Sequence, residues 1–485
     1  MSITTKKPLR EIVDEFDEQE EGVVGGSPPK LKRVLGPWQL ILFGVGAIVG
    51  AGLFSITGMA AAQHAGPAIL ISFVIAALGC VFAGLCYSEL ASMIPIAGSA
   101  YTYSYIAIGE LVAWMIGWTL ILEYAIGAAT VAISWSAYLV SLLQDFGIHL
   151  PAAWVASPWH HTLHQDGSMV PGIINLPAIF IVIFTSIVLI MGIKKAAFAN
   201  AFIVSIKVGI ILIFIAVGLQ YIQPENYSPF IPENTGTFGE FGWSGIMRAA
   251  GIIFFAYIGF DSISTAAQET INPQKNLPIG ILGSLAICTV LYILFAFVMV
   301  GLVNYTKLDV AAPVALAIDQ TPYVWLNVAV KIAILAGFTS VILILLLGQS
   351  RIFYAMARDG LLPPIFCNLH STWHTPWVSN IILMCFVGIF SAFAPLYIVG
   401  NMTSIGTLLA FTLVCSGVLI LRYTHPEYPR SFKVAFVPTI PILGIISCLI
   451  LMFSLSLETW MRLVIWLVIG LLVYFFYSRH HANPV

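Results

Sequence analysis

From Trp38 to Ala60 the chain carries no charged residue, and eleven further apolar runs of comparable length follow it. About 20 apolar residues suffice to cross the hydrocarbon core of a bilayer as a helix. In lipid, only helices and closed barrels satisfy their own backbone N–H and C=O groups. The runs lie near 38–60, 67–93, 109–141, 175–192, 200–221, 242–264, 278–302, 324–350, 376–394, 398–421, 436–456 and 459–478. The third and eighth exceed the hydrocarbon thickness, which predicts tilt or projection. Charged residues make up 9% of the 485 and hydrophobic ones 59%, against about 25% charged in soluble domains. The expected fold class is an all-α integral membrane protein with twelve transmembrane helices, in contact with the lipid bilayer.

The basic residues orient this bundle. Lys30, Lys32, Arg33, Lys194, Lys195, Arg351, Arg358, Arg422, Arg430 and Lys433 fall on the side that holds both termini, and Lys307 and Arg462 on the other. Such a bias marks the cytoplasmic side, so both termini are expected inside. The net charge of −2 gives no basic excess that would imply nucleic acid. Seven cysteines, an odd number with none in an expected outer loop, argue against a disulfide framework. Residues 1–34 are polar and acidic, with Glu11, Asp14, Glu15, Asp17, Glu18, Glu20 and Glu21. They read as a solvated cytoplasmic tail rather than a cleavable signal. Ile12, Val13 and Phe16 offer one face of a short helix there, a candidate docking segment.

Motifs for enzymatic chemistry are missing: GxSxG, HExxH, GxxxxGK[ST] and CxxC do not occur. GVGAIVG resembles a dinucleotide loop, but it sits inside an apolar run rather than between a strand and a helix. The outer loop near 144–174 holds His149, His160, His161 and His164 with Trp154 and Trp159. His160 and His164 lie one helical turn apart, a possible metal pair, while tryptophans at a membrane surface are ordinary belt residues. No cysteine or carboxylate cluster supports a metal, so none is expected. Between the second and third runs, SELASMIPIAGSAYTYSY breaks at Pro95 and Gly98 and suits an inner loop with a short surface helix.

Two runs are weakened from within. GVGAIVGAG places Gly44, Gly46, Gly50 and Gly52 in nine residues, each costing about 1 kcal/mol against alanine in a helix interior. Close helix packing explains Gly46 and Gly50 as a GxxxG pair; an opened helix lining a cavity explains all four. In the sixth run, GIIFFAYIGFDSISTAAQETINPQKNLP, Gly251 and Gly259 precede the helix-opposing Asp261, Ser262, Ser264 and Thr265. The first and sixth runs head two groups of five. Interrupted spans at matching positions of two halves point to an inverted-repeat transporter with a site at mid-depth.

Charges near the bilayer centre cost about 2.5–3.5 kcal/mol on insertion scales, so each needs a partner or a wet cavity. Glu123 lies deep in the third run, Lys207 in the fifth and Asp261 in the sixth. Lys207, seven residues past Asn200, either snorkels to the surface or is an amine that loads and releases a proton. Glu123 either pairs with Lys207 or holds a cationic substrate group. Glu89 and Glu269 lie nearer the inner ends, where basic loops account for them, and Arg248 and Lys331 read as snorkelling at outer ends.

GVGAIVGAGLF, FFAYIGFDSISTAAQETINPQKNLPIGI and TSVILILLLGQSRIFYAMARDGLLP resemble the amino acid, polyamine and organocation transporter superfamily. The resemblance is closest to the bacterial members of its cationic amino acid transporter family and covers the chain beyond the acidic tail. It implies the leucine-transporter fold of five helices, five inverted helices and two more. The expected division is 1–34 as tail, 35–222 and 240–422 as the two repeats, and 434–478 as the last two helices.

By that resemblance, the N–H groups around Gly50, Ala51 and Gly52 bind a substrate carboxylate at a half-helix N-terminus. Carbonyls of Ile48, Phe255, Ala256 and Ile258 receive the ammonium, and Phe255 closes over the substrate. Lys207 matches the lysine that stands in the place of a sodium ion, with Thr339 and Ser340 near it. Glu123 and Asp261 match acidic positions that contact a basic side chain or balance Lys207. Gln268 departs from the acidic pair more usual there, which weakens inferences about the inner gate. The expected activity is proton-coupled amino acid uptake by alternating access across a bacterial inner membrane, with the proton as coupling ion and no cofactor. A broad neutral set including alanine is the expected substrate class, with cationic amino acids second. Exchange of one amino acid for another, or a non-transporting sensor, are the alternatives.

Overall fold

A computed structural model describes residues 35–94, 99–159, 161–163, 169–192, 196–373 and 375–482. The acidic tail, the Pro95 and Gly98 break, His160, His164, Lys194 and Lys195 lie outside the described residues.

Every expected apolar run contains helix, with the first and sixth interrupted. Helix α1 (Pro37–Ile48) starts at a proline in its first turn, stops where Val49 turns extended, and resumes as a π-turn over Gly52–Ile56 that continues through Ala60. Next come α2 (Ile69–Met93), α3 (Ser99–Ala107) and α4 (Glu110–Ile121). A π-turn over Leu122–Ile126 joins α4 to α5 (Gly127–Asp145). The connection to α6 (Leu176–Met191) holds the antiparallel pair β1 (His161–Leu163) and β2 (Met169–Pro171). Helix α7 (Ala196–Gly218) and α8 (Gly242–Ile253) lead into 3-10 segments Phe254–Tyr257 and Phe260–Glu269. The remainder is α9 (Pro273–Leu302), α10 (Pro313–Ile318), α11 (Val324–Arg358), α12 (Trp377–Phe393), α13 (Leu396–Thr424), α14 (Thr439–Ser454) and α15 (Leu457–Val473). Among the described residues, eight helices are long and apolar enough to cross a membrane, and α1, α6, α12 and α14 are shorter apolar helices.

Of the boundaries that differ from expectation, two have clear reasons. Helix α9 begins at Pro273 rather than near 278, because a proline is tolerated in a first turn where its missing N–H has no partner to lose. Helix α11 runs past 350 to Arg358, carrying polar residues beyond bilayer thickness at about 1.5 Å per residue.

Helix α9 packs against α2 and α1, α11 against α5, α12 against α6, and α13 against α14. The core between them is dense with buried aromatics, including Tyr87, Tyr103, Tyr138, Tyr257 and Tyr292.

Hydrogen bonds and ion pairs cross both ends of the bundle. At the end where α1 begins, Leu35 N donates to Glu269 O (3.0 Å) and Ile271 N to Leu35 O (2.9 Å). Arg351 donates to Thr265 O (3.0 Å) and to Glu269 Oε1 (3.2 Å). Buried Glu89 accepts from Arg422 Nε and Nη2, each at 2.8 Å, and from Val434 N at 2.7 Å, with Arg430 Nε 3.2 Å away. Basic partners therefore account for Glu89 and Glu269, as expected. At the opposite end Gln63 Nε2 donates to Asp309 Oδ2 (3.0 Å), His64 Nδ1 to Gly239 O (2.7 Å) and Phe241 N to His64 O (2.9 Å). Lys331 does not snorkel: it is buried and ion-paired with Asp145 at 2.5 Å. Arg248, half-buried, donates to Ser454 O (3.1 Å) and lies over the Phe238 ring. The same end opens a cavity of about 370 Å³ lined by Ser141, Gln144, Val155, Leu316 and Asp319. Partial burial holds the Asp319 carboxyl above its usual range, opposed by the Lys331 ammonium.

Candidate functional site: two opened helices at mid-depth

The helix interruptions face each other. After Ile48 the backbone leaves the helix at Val49 (ψ 100°), and the carbonyl of Gly50 accepts from Leu53 N and Phe54 N as the next turn starts. Across from it, Ile258 is extended and Gly259 takes φ +116°, a region closed to most side chains. A Cβ added to Gly259 would meet Ala47 C and O at 2.9 Å, and one added to Gly52 would overlap the Ala256 backbone. The two opened segments therefore touch main chain to main chain, an approach that only glycine permits at these two positions.

Lys207 reaches this junction from α7. The residue is 1% exposed, and its ammonium donates to Gly46 O at 2.8 Å and Val49 O at 2.9 Å. Gly46 lies in the last turn of α1 and Val49 caps it, where backbone acceptors lose their helical partners as the helix stops. Neither snorkelling nor an ion pair with Glu123 describes this lysine: its donors go to the break. Its stem packs on α11, where a Cβ at Gly337 would meet Lys207 Cδ at 2.6 Å. Thr339 Oγ1, two residues on, donates to Leu335 O of its own helix (2.9 Å), and Ser340 is buried.

A small cavity of about 10 Å³, the space of roughly one water, lies between the breaks. Ile48, Gly50, Ala51 and Gly52 line one side, Phe255 and Ile258 the other, and Glu123 the third. Ala256 sits behind, against Gly52. Two of the expected acceptors already hold one hydrogen bond each: Ile48 O takes the Tyr292 hydroxyl at 2.9 Å, and Phe255 O takes Ile258 N at 3.3 Å. A carbonyl oxygen keeps a second lone pair for a ligand. Asp261 is outside the cavity wall, behind Glu123, and accepts from the Tyr124 hydroxyl.

Sequence reasoning missed Tyr292, Tyr124, Val131, Val341 and Leu345. Tyr292 carried a usable signal, since a hydroxyl in the apolar run CTVLYILF needs an acceptor once buried. The three aliphatic wall residues had none. Among the described residues no group of histidine, cysteine or carboxylate side chains is arranged to hold a metal ion.

Comparison with known proteins agrees with this architecture. Residues 35–477 match the family model described as amino acid permease. The chain is 43% identical over 485 residues to the methylthioribose transporter of Bacillus subtilis, covering 99% of both proteins. It is 41% identical to the branched-chain amino acid permease BcaP of the same organism, covering 93% of this chain and 94% of that one. It is 37% identical to the vacuolar cationic amino acid transporter 2 of Arabidopsis thaliana, over 86% of this chain and 63% of that one. A multi-pass helical membrane protein opened at two facing breaks, matched over most of its length, the chain belongs to the amino acid permease family.

Proposed function

We propose that the protein is a proton-coupled amino acid importer of a bacterial inner membrane, working by alternating access with both termini in the cytoplasm. It comprises twelve spans: five, five inverted, and two more. The division at 1–34, 35–222, 240–422 and 434–478 fits the packing, because α2 with α9, α5 with α11 and α6 with α12 are pairs five spans apart. The observation that carries the reading is Lys207 donating to Gly46 O and Val49 O beside a cavity walled by two opened helices.

In this reading the first N–H groups of the half-helix starting at Gly52 take the substrate carboxylate, favoured by the positive end of the dipole. Carbonyls of Ile48, Phe255, Ala256 and Ile258 take the ammonium. A proton on Lys207 fixes the last turn of α1 as a bound sodium ion would, with Thr339 and Ser340 on the adjoining wall, so that proton and substrate favour the same arrangement. Neutral side chains such as that of alanine suit the mostly aliphatic wall, and cationic ones are the second class.

Full-length protein reconstituted in liposomes should take up labelled alanine faster with an inward proton gradient. Uptake unchanged by collapsing that gradient overturns symport, and uptake that needs internal amino acid favours exchange. The 43% identical relative gives a second reading, since methylthioribose has neither ammonium nor carboxylate. A thermal-shift screen of amino acids and methylthioribose separates the two, because only a ligand that binds the folded state raises its Tm.

A further inference from the structure

One hydroxyl beyond the breaks joins three elements. Tyr138 lies on α5, fully buried, about two helical turns outward from the cavity wall at Val131. Its hydroxyl donates to Phe54 O at 2.5 Å and accepts from Val314 N at 3.4 Å. Phe54 belongs to the half-helix that resumes at Gly52, and Val314 to the first turn of α10. Ring packing fixes where the hydroxyl sits: the Tyr138 ring meets Phe338 edge-on at 5.7 Å, and Phe338 lies 5.9 Å from the Phe54 ring.

The half-helix and α10 also meet directly. A Cβ at Gly58 would come within 2.5 Å of Pro313 Cβ and 2.8 Å of Leu308 O, so any larger residue there pushes on α10. Farther out, Gln63 donates to Asp309 Oδ2 at 3.0 Å. Tyr138 reaches both elements from a helix that belongs to neither. A tyrosine hydroxyl has one proton to give and lone pairs with which to accept. The proton goes to Phe54 O and a lone pair to Val314 N, so each bond polarises the hydroxyl in favour of the other. Both partners are main-chain groups. If the half-helix or α10 swings away alone, one bond is lost and a buried polar group is stranded.

We propose that Tyr138 is the positioning residue of the outer closure: it seats the half-helix from Gly52 and the helix α10 against α5 as one unit. The N–H groups offered to the substrate then come into place as α10 closes the outer path. The inference rests on the alternating-access reading, with α10 on the outer side. Tyr138 touches no substrate and acts through Phe54 and Val314. Its two bonds belong to the closed arrangement, so removing them shifts the population towards the outward-open one.

The test places a cysteine at Val131, buried in the cavity wall, in full-length protein expressed in bacterial cells. A small membrane-impermeant thiosulfonate reaches it only through the outer path, and the labelling rate is read against the same protein without that cysteine. Tyr138→Phe keeps the ring against Phe338 and removes the hydroxyl. It is expected to raise the labelling rate about tenfold, in line with the loss of one buried hydrogen bond. Gly58→Ala leaves Tyr138 in place, presses on Pro313 and is expected to raise labelling as well. A merely structural role for Tyr138 lowers the Tm without opening the outer path. An unchanged labelling rate in folded Tyr138→Phe therefore overturns the proposal, and where that variant does not fold, an unchanged rate in Gly58→Ala does so. Labelling that rises as expected in a protein that takes up no amino acid keeps the closure and overturns the transport reading instead.

Discussion

The hydroxyl of Tyr292 on α9 donates to the carbonyl of Ile48 over 2.9 Å, fixing from outside the last turn of a helix that its own hydrogen bonds no longer hold. Removing one partner of a buried hydrogen bond costs about 1–3 kcal/mol. Tyr292→Phe is therefore expected to lower the Tm in detergent and to weaken substrate binding about tenfold, measured by ligand-induced Tm shift. An unchanged shift would separate this bond from the site.

Gly52 and Gly50 stand two residues apart with different surroundings. A Cβ at Gly52 would overlap the Ala256 backbone, which has nowhere to move, whereas one at Gly50 would meet Val341 at an ordinary 3.5 Å. Gly52→Ala is expected to reduce transport at least a hundredfold in protein that still inserts, and Gly50→Ala much less. Equal losses in a liposome uptake assay would refute the close approach as their cause.

Lys207→Met keeps the length of the stem and removes the donors, leaving Gly46 O and Val49 O unpaired in the bilayer interior. Each orphaned acceptor costs about 1–3 kcal/mol. Substrate affinity is expected to fall and, in whatever binding remains, to be the same at pH 6 and pH 8. A retained pH dependence removes Lys207 from the coupling.

Glu89 is the sole buried anion among the described residues shared by two arginines, Arg422 and Arg430. Breaking a buried ion pair by removing one side costs about 3–5 kcal/mol. Glu89→Ala is expected to lower the Tm by several degrees at neutral pH, and Arg422→Ala by less, since Arg430 still faces Glu89. A Tm unchanged in Glu89→Ala would show the pair to be dispensable.

The helices were legible because lipid imposes one demand on every span, and the first and sixth breaks were legible because glycine and small polar residues are costly inside helices. Lys207 stood out by charge. What the sequence left open was where its donors pointed: a lysine at that depth is compatible with the surface, with Glu123 or with a carbonyl, and only the packing of α7 against α1 and α11 decides. Lys331 was misjudged for the converse reason, since its partner Asp145 is far away in sequence and looked like a loop residue. Aliphatic wall residues such as Val341 are indistinguishable in sequence from lipid-facing ones.

Leu35 exchanges two main-chain bonds with the stretch ending at Ile271. These stitch the entry of α1 to the tail of the 260–269 segment as a miniature ladder. In the alternating-access reading proposed above, the two half-helices on that side would swing as one door about the breaks at Gly50 and Gly259, with Arg351 as its latch. Tethering residue 35 to residue 271 should leave turnover intact, whereas tethering 269 to 351 should jam it.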